Sequence, residues 1–380
     1  MIIGIAKEIM EGELRVSAIP ETVKKFIDMN CTVLVEKDAG KGSHYSNGEY
    51  AAAGAEIVDD CAEIFQRADL ILKVKEPQFN KVKNLHEVEM MKKGQYLLTF
   101  LHPAAPANRK MVQDLADKGV ISITLDAIPR ISRAQSMDAL TSMSTCAGYK
   151  GMLMAANSIA KFMPLIGSAV GMVKPANVFV IGTGVSGLRA IATAKGLGAV
   201  VHSADIRPEA NEEAKSLGAK IVETGIPVEI AVSADGKHAN ALSEEWLAVL
   251  RNNIANAIKN ADIVFCSALV MGKTAPVILT EEMVKTMKPG SCIVDISIDQ
   301  GGNCAITTPG TTDEKHGVII NGIKNIPGMI PTSSTWLFAN NVLNMVKYIV
   351  RDGKIVLDMN DEIISSILVT HDGKVTPSFL

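Results

Sequence analysis

The segment richest in chemistry is Asn177-Val-Phe-Val-Ile-Gly-Thr-Gly-Val-Ser-Gly-Leu-Arg-Ala. An apolar strand runs into Gly182-x-Gly184-x-x-Gly187, and a run of small residues then reads as a helix. Gly182 permits a tight turn, Gly184 lets the backbone approach a pyrophosphate, and Gly187 lets the helix pack closely on the strand. Val185 and Ser186 open that helix, whose free N–H groups and partial positive charge suit phosphates. A glycine triplet alone is a weak signal. The next strand, Ala-Val-Val-His-Ser-Ala-Asp, strengthens it by ending in Asp205, 18 residues after Gly187. An acid there takes ribose hydroxyls and repels a 2′-phosphate, which points to NAD rather than NADP. Arg207, two residues on, would mildly favour a phosphate or stack on adenine. The plain alternative is a glycine-rich turn that binds nothing.

The elements that must carry this loop are legible as short apolar runs alternating with helical patterns. Ile2–Ile5, Thr32–Val35, Leu70–Val74, Tyr96–Phe100 and Ile121–Leu125 read as buried strands, with amphipathic stretches such as Pro20–Met29 and Asn108–Lys118 between them. The pattern restarts at Asn177–Ile181 and continues near Val200–Ala204, Lys220–Val222, Ile263–Cys266, Cys292–Ile296 and Gly317–Ile320. Such β-α alternation implies α/β architecture with two Rossmann-like parallel-sheet domains and a cleft between them. A long stretch with few breakers, Met137–Phe162, would cross from one to the other. Ser334–Val350 reads as a long helix returning to the first domain. The expected domains are therefore a discontinuous substrate domain, 1–135 plus 328–380, and an NAD-binding domain, 136–327. Near the end, Asp372-Gly373 between apolar runs reads as a hairpin turn.

Composition narrows the function. The 380 residues are enough for two domains, and 38 basic against 41 acidic residues leave a net charge of −3. No basic excess exists to neutralise a phosphate backbone, so nucleic acid is not an expected partner. Aromatic residues at 4% argue against base-stacking platforms and suit parallel sheets wrapped by helices. No two of the six cysteines lie closer than 12 residues, which gives no zinc or redox spacing and suits buried thiols in a reducing compartment. His44, His86, His202, His238, His316 and His371 share no ligand spacing, so no metal is expected. The opening Met-Ile-Ile-Gly-Ile-Ala-Lys-Glu-Ile-Met lacks a signal-peptide pattern, and a cytoplasmic protein is expected. Met152–Val173 is long and mostly apolar. Asn157, Lys161, Pro164, Gly167 and Gly171 break it, so a buried helix to about Phe162 followed by a loop is expected instead of a membrane span.

Several segments together resemble the alanine dehydrogenase and nicotinamide nucleotide transhydrogenase alpha-subunit family. They are Ile3-Gly-Ile-Ala-Lys-Glu, Arg15-Val, Val35-Glu-Lys-Asp-Ala-Gly40, Ala68-Asp69-Leu70, Lys73-Val-Lys75-Glu-Pro, the Gly182 turn and Met287-Lys-Pro-Gly-Ser. The likeness spans essentially the whole chain. Arg15 in Glu-Leu-Arg-Val, Lys75 in Lys-Val-Lys-Glu-Pro, His102 in Phe-Leu-His-Pro and Asp299 in Ile-Asp-Gln-Gly-Gly are similar to the dehydrogenase branch. So is Asn325-Ile-Pro-Gly-Met-Ile-Pro-Thr-Ser-Ser-Thr. The resemblance implies that Arg15 and Lys75 hold a keto-acid while His102 and Asp299 work in proton transfer. Pro129-Arg130-Ile-Ser-Arg133-Ala-Gln135-Ser-Met-Asp138, Ala204-Asp-Ile-Arg-Pro and Asp372-Gly-Lys-Val-Thr-Pro look instead like the transhydrogenase branch. There Arg130, Gln135 and Asp138 would touch the nicotinamide end of NAD and a partner domain carrying NADP. Gly236-Lys-His238-Ala departs from the Gly-Tyr-Ala usual in that branch's mobile loop.

The residue types fit oxidative deamination of a small amino acid. Arg15 offers a two-point clamp for a carboxylate. Lys75 can hold the carboxylate or the developing carbonyl oxygen. His102 titrates near neutrality and suits acid–base work. Asp299 would orient water. Lys75, His102 and Asp299 each follow a strand, on the side where ligands sit in open α/β sheets. Each residue has a plainer reading: Arg15 a surface residue in a polar turn, Lys75 an exposed ion pair with Glu76, His102 a loop cap, Asp299 the holder of the Gly301-Gly302 turn. Two enzymatic functions stay open, beside the plainer reading of an NAD-binding regulatory or storage protein with no turnover. The first, favoured by the four polar residues, is an NAD-dependent L-alanine dehydrogenase acting on a small amino acid and its 2-oxo acid. The second is the soluble NAD(H)-binding alpha subunit of a proton-translocating NAD(P) transhydrogenase, with a membrane-bound partner subunit. Arg130, Gln135 and Asp138 are cofactor candidates under both. Apolar faces on Ser334–Val350 and on the helix from Met137 suggest a homo-oligomer.

Overall fold

Runs of four or five apolar residues without polar alternation suit strands covered on both faces, and the structure uses them that way. The computed structural model describes residues 1–233, 239–270 and 273–379. Gly236 and His238, where the mobile-loop departure falls, lie outside them. The chain divides into two compact units, Met1–Met143 with Pro327–Leu380, and Ser144–Ile326.

The sheet of the first unit runs, in spatial order, Lys374–Val375, Leu368–His371, Ile121–Thr124, Tyr96–Thr99, Leu70–Leu72, Ile2–Ile5, Thr32–Glu36 and Glu56–Val58. The last six are mutually parallel, with Ile5 beside both Val35 and Leu72. Leu368–His371 joins antiparallel to Ile121–Thr124 and pairs with Lys374–Val375. Asp372 and Gly373, at φ 51° and 72°, make the turn between them, as the dipeptide predicts. Chain order therefore reverses between Ile2–Ile5 and Leu70–Leu72, a topological switch point.

The second unit repeats the plan. Its order is Lys220–Ile221, Val200–Ala204, Asn177–Ile181, Ile263–Cys266, Cys292–Asp295, Val318–Asn321 and Thr312–Lys315, all parallel except the last. The switch point lies between Asn177–Ile181 and Ile263–Cys266. Alternate residues feed two cores: Val178, Val180, Ile263, Phe265 and Val294 pack on one face, and Phe179, Ile181, Val264, Cys266 and Ile293 on the other. A fully buried ring such as Phe265 contributes about 2–3 kcal/mol through removal from water.

Two differences from the sequence reading have physical causes. The long helix spans Ala139–Ser158, stopping short of Phe162, and is followed by an antiparallel hairpin, Ile166–Ser168 with Gly171–Val173. Pro164 keeps the helix from running on, and Gly167 and Gly171 fall in the hairpin strands beyond it. Among the described residues no helix is long and apolar enough to cross a membrane. Thr312–Lys315, Thr-Asp-Glu-Lys, is a strand with no apolar signal because it sits at the exposed sheet edge. The helix expected over Ser334–Val350 covers Pro331–Ile349.

Candidate functional site

In the first unit, the polar residues gather at the C-terminal ends of the strands flanking the switch point. Lys73 follows Leu70–Leu72 and is wholly buried. Its ammonium lies 2.9 Å from Glu87 and 3.4 Å from Glu8, which follows Ile2–Ile5. The other Glu8 oxygen accepts the Val74 N–H at 2.6 Å and the Lys75 N–H at 3.3 Å. Glu8 thereby pins the backbone that presents Lys75. Burial pushes the Glu8 carboxyl up to about 7 despite the Lys73 charge, and the neighbouring Glu87 adds to the rise.

Arg15 is buried, which overturns the surface-turn reading. Its Nε and Nη2 donate to the two oxygens of Glu13 at 2.7 and 2.6 Å, and Glu13 also accepts the Arg15 backbone N–H at 3.0 Å. The carboxylate clamp thus already holds an internal carboxylate, a correction to the expectation of an open one. Burial alone would raise Glu13; Arg15, and with it the Lys75 charge, bring it below its ordinary value. Glu8, Glu13, Arg15, Lys7, Asp38 and Lys41 line a cleft of about 250 Å³. Among the described residues the Lys75–Glu76 ion pair is not formed; the paired lysine of this segment is Lys73, with Glu8 and Glu87, while half-buried Lys75 acts electrostatically on both Glu13 and His102.

His102 stands three residues past Tyr96–Thr99, with φ 47°. A left-handed backbone at a residue with a Cβ costs about 1–3 kcal/mol, and Asp126 holds it. One Asp126 oxygen accepts the N–H groups of Leu101 and His102 at 3.0 and 2.7 Å and the Thr124 hydroxyl at 2.5 Å. Its other oxygen lies 2.6 Å from His102 Nδ1. The imidazole stacks on Phe100, centroids 5.6 Å apart and planes 6° from parallel. Burial alone would lower the His102 pKa; the charge and hydrogen bond of Asp126 outweigh it, and the net shift is upward, with Lys75 opposing. Asp126 is correspondingly held below its ordinary value. With Nδ1 committed to Asp126, Nε2 is the nitrogen left for proton exchange, and the side chain keeps 39% of its surface exposed. His102 is therefore more than a loop cap.

In the second unit the glycine loop links Asn177–Ile181 to the helix Val185–Gly196. Gly182 has φ +83°, and a Cβ there would stand 2.8 Å from the backbone of Ala268. A Cβ on Gly187 would stand 2.0 Å from the Gly182 carbonyl oxygen. Gly184, the residue before the helix, has nothing within 4 Å of where its Cβ would be. Two glycines thus bring chain against chain, and the third faces open space at a helix N-terminus, a cradle that fits a pyrophosphate. Val185 opens the helix. The Ser186 hydroxyl is spent internally, donating to the Ser144 carbonyl at 2.9 Å.

Asp205 ends Val200–Ala204 as expected, but its carboxylate is occupied. Arg207 donates to it from Nε at 3.1 Å and from Nη2 at 3.0 Å, and the backbone N–H groups of Thr183 and Arg207 add bonds of 2.8 and 2.9 Å. This corrects two expectations: Asp205 does not present open oxygens, and Arg207 is aimed at Asp205. Asp299 is exposed in a short 3₁₀ turn after Cys292–Asp295. The turn at Gly301-Gly302 is held by buried Asp295, which accepts the N–H groups of Asn303 and Cys304 at 2.9 Å each. Arg130 and Gln135, in the first unit, are exposed. Asp138 caps the helix Ala139–Ser158 through Thr141, with bonds of 2.8 and 2.6 Å. The sequence reading missed Asp126, Glu13 and Glu8. Asp126 had a readable signal, an acid just past a parallel strand. Glu8, three residues past Ile2–Ile5, had the same one, and Glu13 had none apart from its partner.

Two parallel-sheet units with a glycine loop at one switch point and a charged cluster at the other define a class of two-domain nucleotide-dependent α/β proteins. Models of the alanine dehydrogenase/PNT N-terminal and C-terminal domains match residues 4–147 and 151–378, so the chain belongs to the alanine dehydrogenase/PNT family. It is 39% identical over 99% of its length to an NAD(P) transhydrogenase alpha-subunit chain of Rhodospirillum rubrum, covering 97% of that protein. It is 35% identical over 99% of its length to the alanine dehydrogenase of Methanococcus maripaludis, covering 94% of it. A solved transhydrogenase structure from Sinorhizobium meliloti superposes with a TM-score of 0.86 at 36% identity, covering 99% of this chain and all of that one.

Proposed function

We propose that this protein is an NAD-dependent oxidoreductase that deaminates a small amino acid, L-alanine first among them, to its 2-oxo acid and ammonia. The observation that carries the reading is the His102–Asp126 pair, held in a left-handed turn, partly exposed, and within the field of Lys75. A module that only relays hydride has no use for a poised base beside a cation.

When bound, a nicotinamide accepts the hydride from the carbon bearing the amine. Neutral His102 takes a proton from the substrate ammonium at Nε2 in the deaminating direction and returns one, as imidazolium, in the aminating direction. Asp126 fixes the tautomer and stabilises the imidazolium. Lys75 holds the substrate carboxylate or the carbonyl oxygen that forms. Arg15 serves mainly by holding Glu13, which tempers the cationic field around Lys75; a substrate carboxylate on Arg15 must share it with Glu13. Asp299 assists water, and the Gly182–Gly187 loop, Val185, Ser186 and Asp205 hold the dinucleotide, with Arg130, Gln135 and Asp138 toward its nicotinamide end.

A second reading is favoured by a separate observation. Identity to the transhydrogenase chain exceeds that to the alanine dehydrogenase, and Arg130–Asp138 is similar to that branch's loop. The chain would then relay hydride to an NADP-binding partner of a membrane-bound subunit. Supplying the purified chain with NAD and L-alanine at alkaline pH distinguishes the two. Formation of NADH supports deamination. No signal with any small amino acid, together with hydride exchange only when an NADP-binding partner domain is added, replaces it with the second reading.

A further inference from the structure

A carboxylate offers about four acceptor positions. On Asp205 the Thr183 N–H, the Arg207 N–H, Arg207 Nε and Arg207 Nη2 fill them at 2.8 to 3.1 Å, with the Thr183 hydroxyl a longer fifth donor at 3.4 Å. An adenosine ribose diol needs two of the same positions. The two backbone donors are fixed by the turn, and Asn211 anchors Asp205 further, its side chain accepting the Asp205 N–H at 3.1 Å and donating to its carbonyl at 2.9 Å. The Thr183 hydroxyl is held at 3.0 Å by the Ala210 carbonyl, so the guanidinium is the one charged donor that can leave. It sits on a side chain 24% exposed, at the residue preceding the helix Pro208–Ser216, and Glu209 and Glu213 on that helix attract it.

We infer that Arg207 is the nucleotide-specificity residue of this loop. In the free chain its guanidinium competes with the ribose diol for Asp205, and on binding it swings off the carboxylate and stays as a cation beside the 2′ position. This rests on the dinucleotide element of the proposed function and names the regulation of that site. Two consequences follow. Displacing a two-point, charge-assisted pair weakens binding of the 2′-hydroxyl nucleotide. The freed cation softens the rejection of a 2′-phosphate that Asp205 alone would impose.

The test is direct binding of NADH and of NADPH to the full chain, by calorimetry or by nucleotide fluorescence, for wild type, Arg207→Ala and Arg207→Lys. Arg207→Ala is expected to bind NADH about fivefold more tightly, and its NADH-over-NADPH preference to widen by about tenfold, the scale of one charge-assisted hydrogen bond. Arg207→Lys, which keeps the charge but loses the fork, is expected to tighten NADH while retaining the wild-type response to NADPH. Unchanged or weaker NADH binding in Arg207→Ala overturns the inference, and if that variant does not fold, the same result in Arg207→Lys decides. Wild type binding neither nucleotide overturns the dinucleotide reading itself, a distinct outcome.

Discussion

The two units share one strand plan yet equip their switch points with opposite chemistry. In Ser144–Ile326 the crossover loop is built from absent side chains: Gly182 and Gly187 bring backbone against backbone, and Gly184 leaves a gap at a helix N-terminus. In the first unit the equivalent place is crowded with charge, from Glu8 and Arg15 after one strand to Lys73 and Lys75 after its neighbour. Parallel strands splay at their carboxyl ends wherever chain order reverses, and the gap is available to either solution. Fixed dipoles suit a constant ligand such as a pyrophosphate. Titratable side chains suit a reacting one.

The sharpest way to break the contrast is Gly187→Val. Its Cβ would meet the Gly182 carbonyl at 2.0 Å, so the loop cannot keep its shape. NADH binding should vanish and stability fall by about 2 kcal/mol or more, read by calorimetry and thermal unfolding. Retained binding would mean the loop is not the dinucleotide site.

Next in size is His102→Ala, expected to lower turnover by roughly 10²–10⁴-fold while leaving NADH affinity near wild type. Equal loss of both would make His102 structural. Its pH dependence has a sign. Asp126 holds the imidazolium, so deamination, which needs neutral His102, rises with pH through a value above the ordinary 6.5. Asp126→Asn should move that rising limb to lower pH.

Gly184→Ala sharpens the contrast from the other side. Nothing stands within 4 Å of the new methyl in the free chain, and the backbone there is extended at φ −71°. Unfolding should be unchanged, while NADH binding weakens by about tenfold, or 1.4 kcal/mol. A loss of stability instead would make the glycine a folding requirement.

The smallest effect is Glu8→Gln. In the folded chain Glu8 keeps its proton to about pH 7 against an ordinary 4.5. Between those values the native state binds a proton that the unfolded chain has lost, so this contribution to stability falls as pH rises through the window. Glu36, also raised by burial, adds a slope of the same sign. Glu8→Gln should flatten the decline of melting temperature across that range, by roughly 2–4 °C for each kcal/mol involved. An unaltered slope would show that Glu8 is ionised throughout.

Much of the scaffold was legible locally. Asn177–Ile181 and Ile263–Cys266 announce themselves by uninterrupted apolar residues, Gly182, Gly184 and Gly187 by spacing, and Asp372-Gly373 by turn chemistry. Thr312–Lys315 was hidden because an exposed edge strand tolerates polar residues. The hairpin after Ser158 was hidden because a run such as Met152–Val173 carries the same hydropathy whichever way it bends.

The amino-acid order by itself determined which residues stand just past each parallel strand: Glu8, Lys75, His102, Asp126 and Asp205 all follow from the strand pattern. Only the tertiary structure decided which of them pair. Asp126 meets His102 because Thr99 lies beside Thr124 in the sheet. Lys73 meets Glu8 because Leu72 lies beside Ile5, and the open oxygens expected of Asp205 are closed by the fold of its own turn onto Arg207. Periodicity is a property of neighbours along the chain. Side-chain pairing across a sheet depends on strand order and register, which are set by how two apolar faces are buried at once.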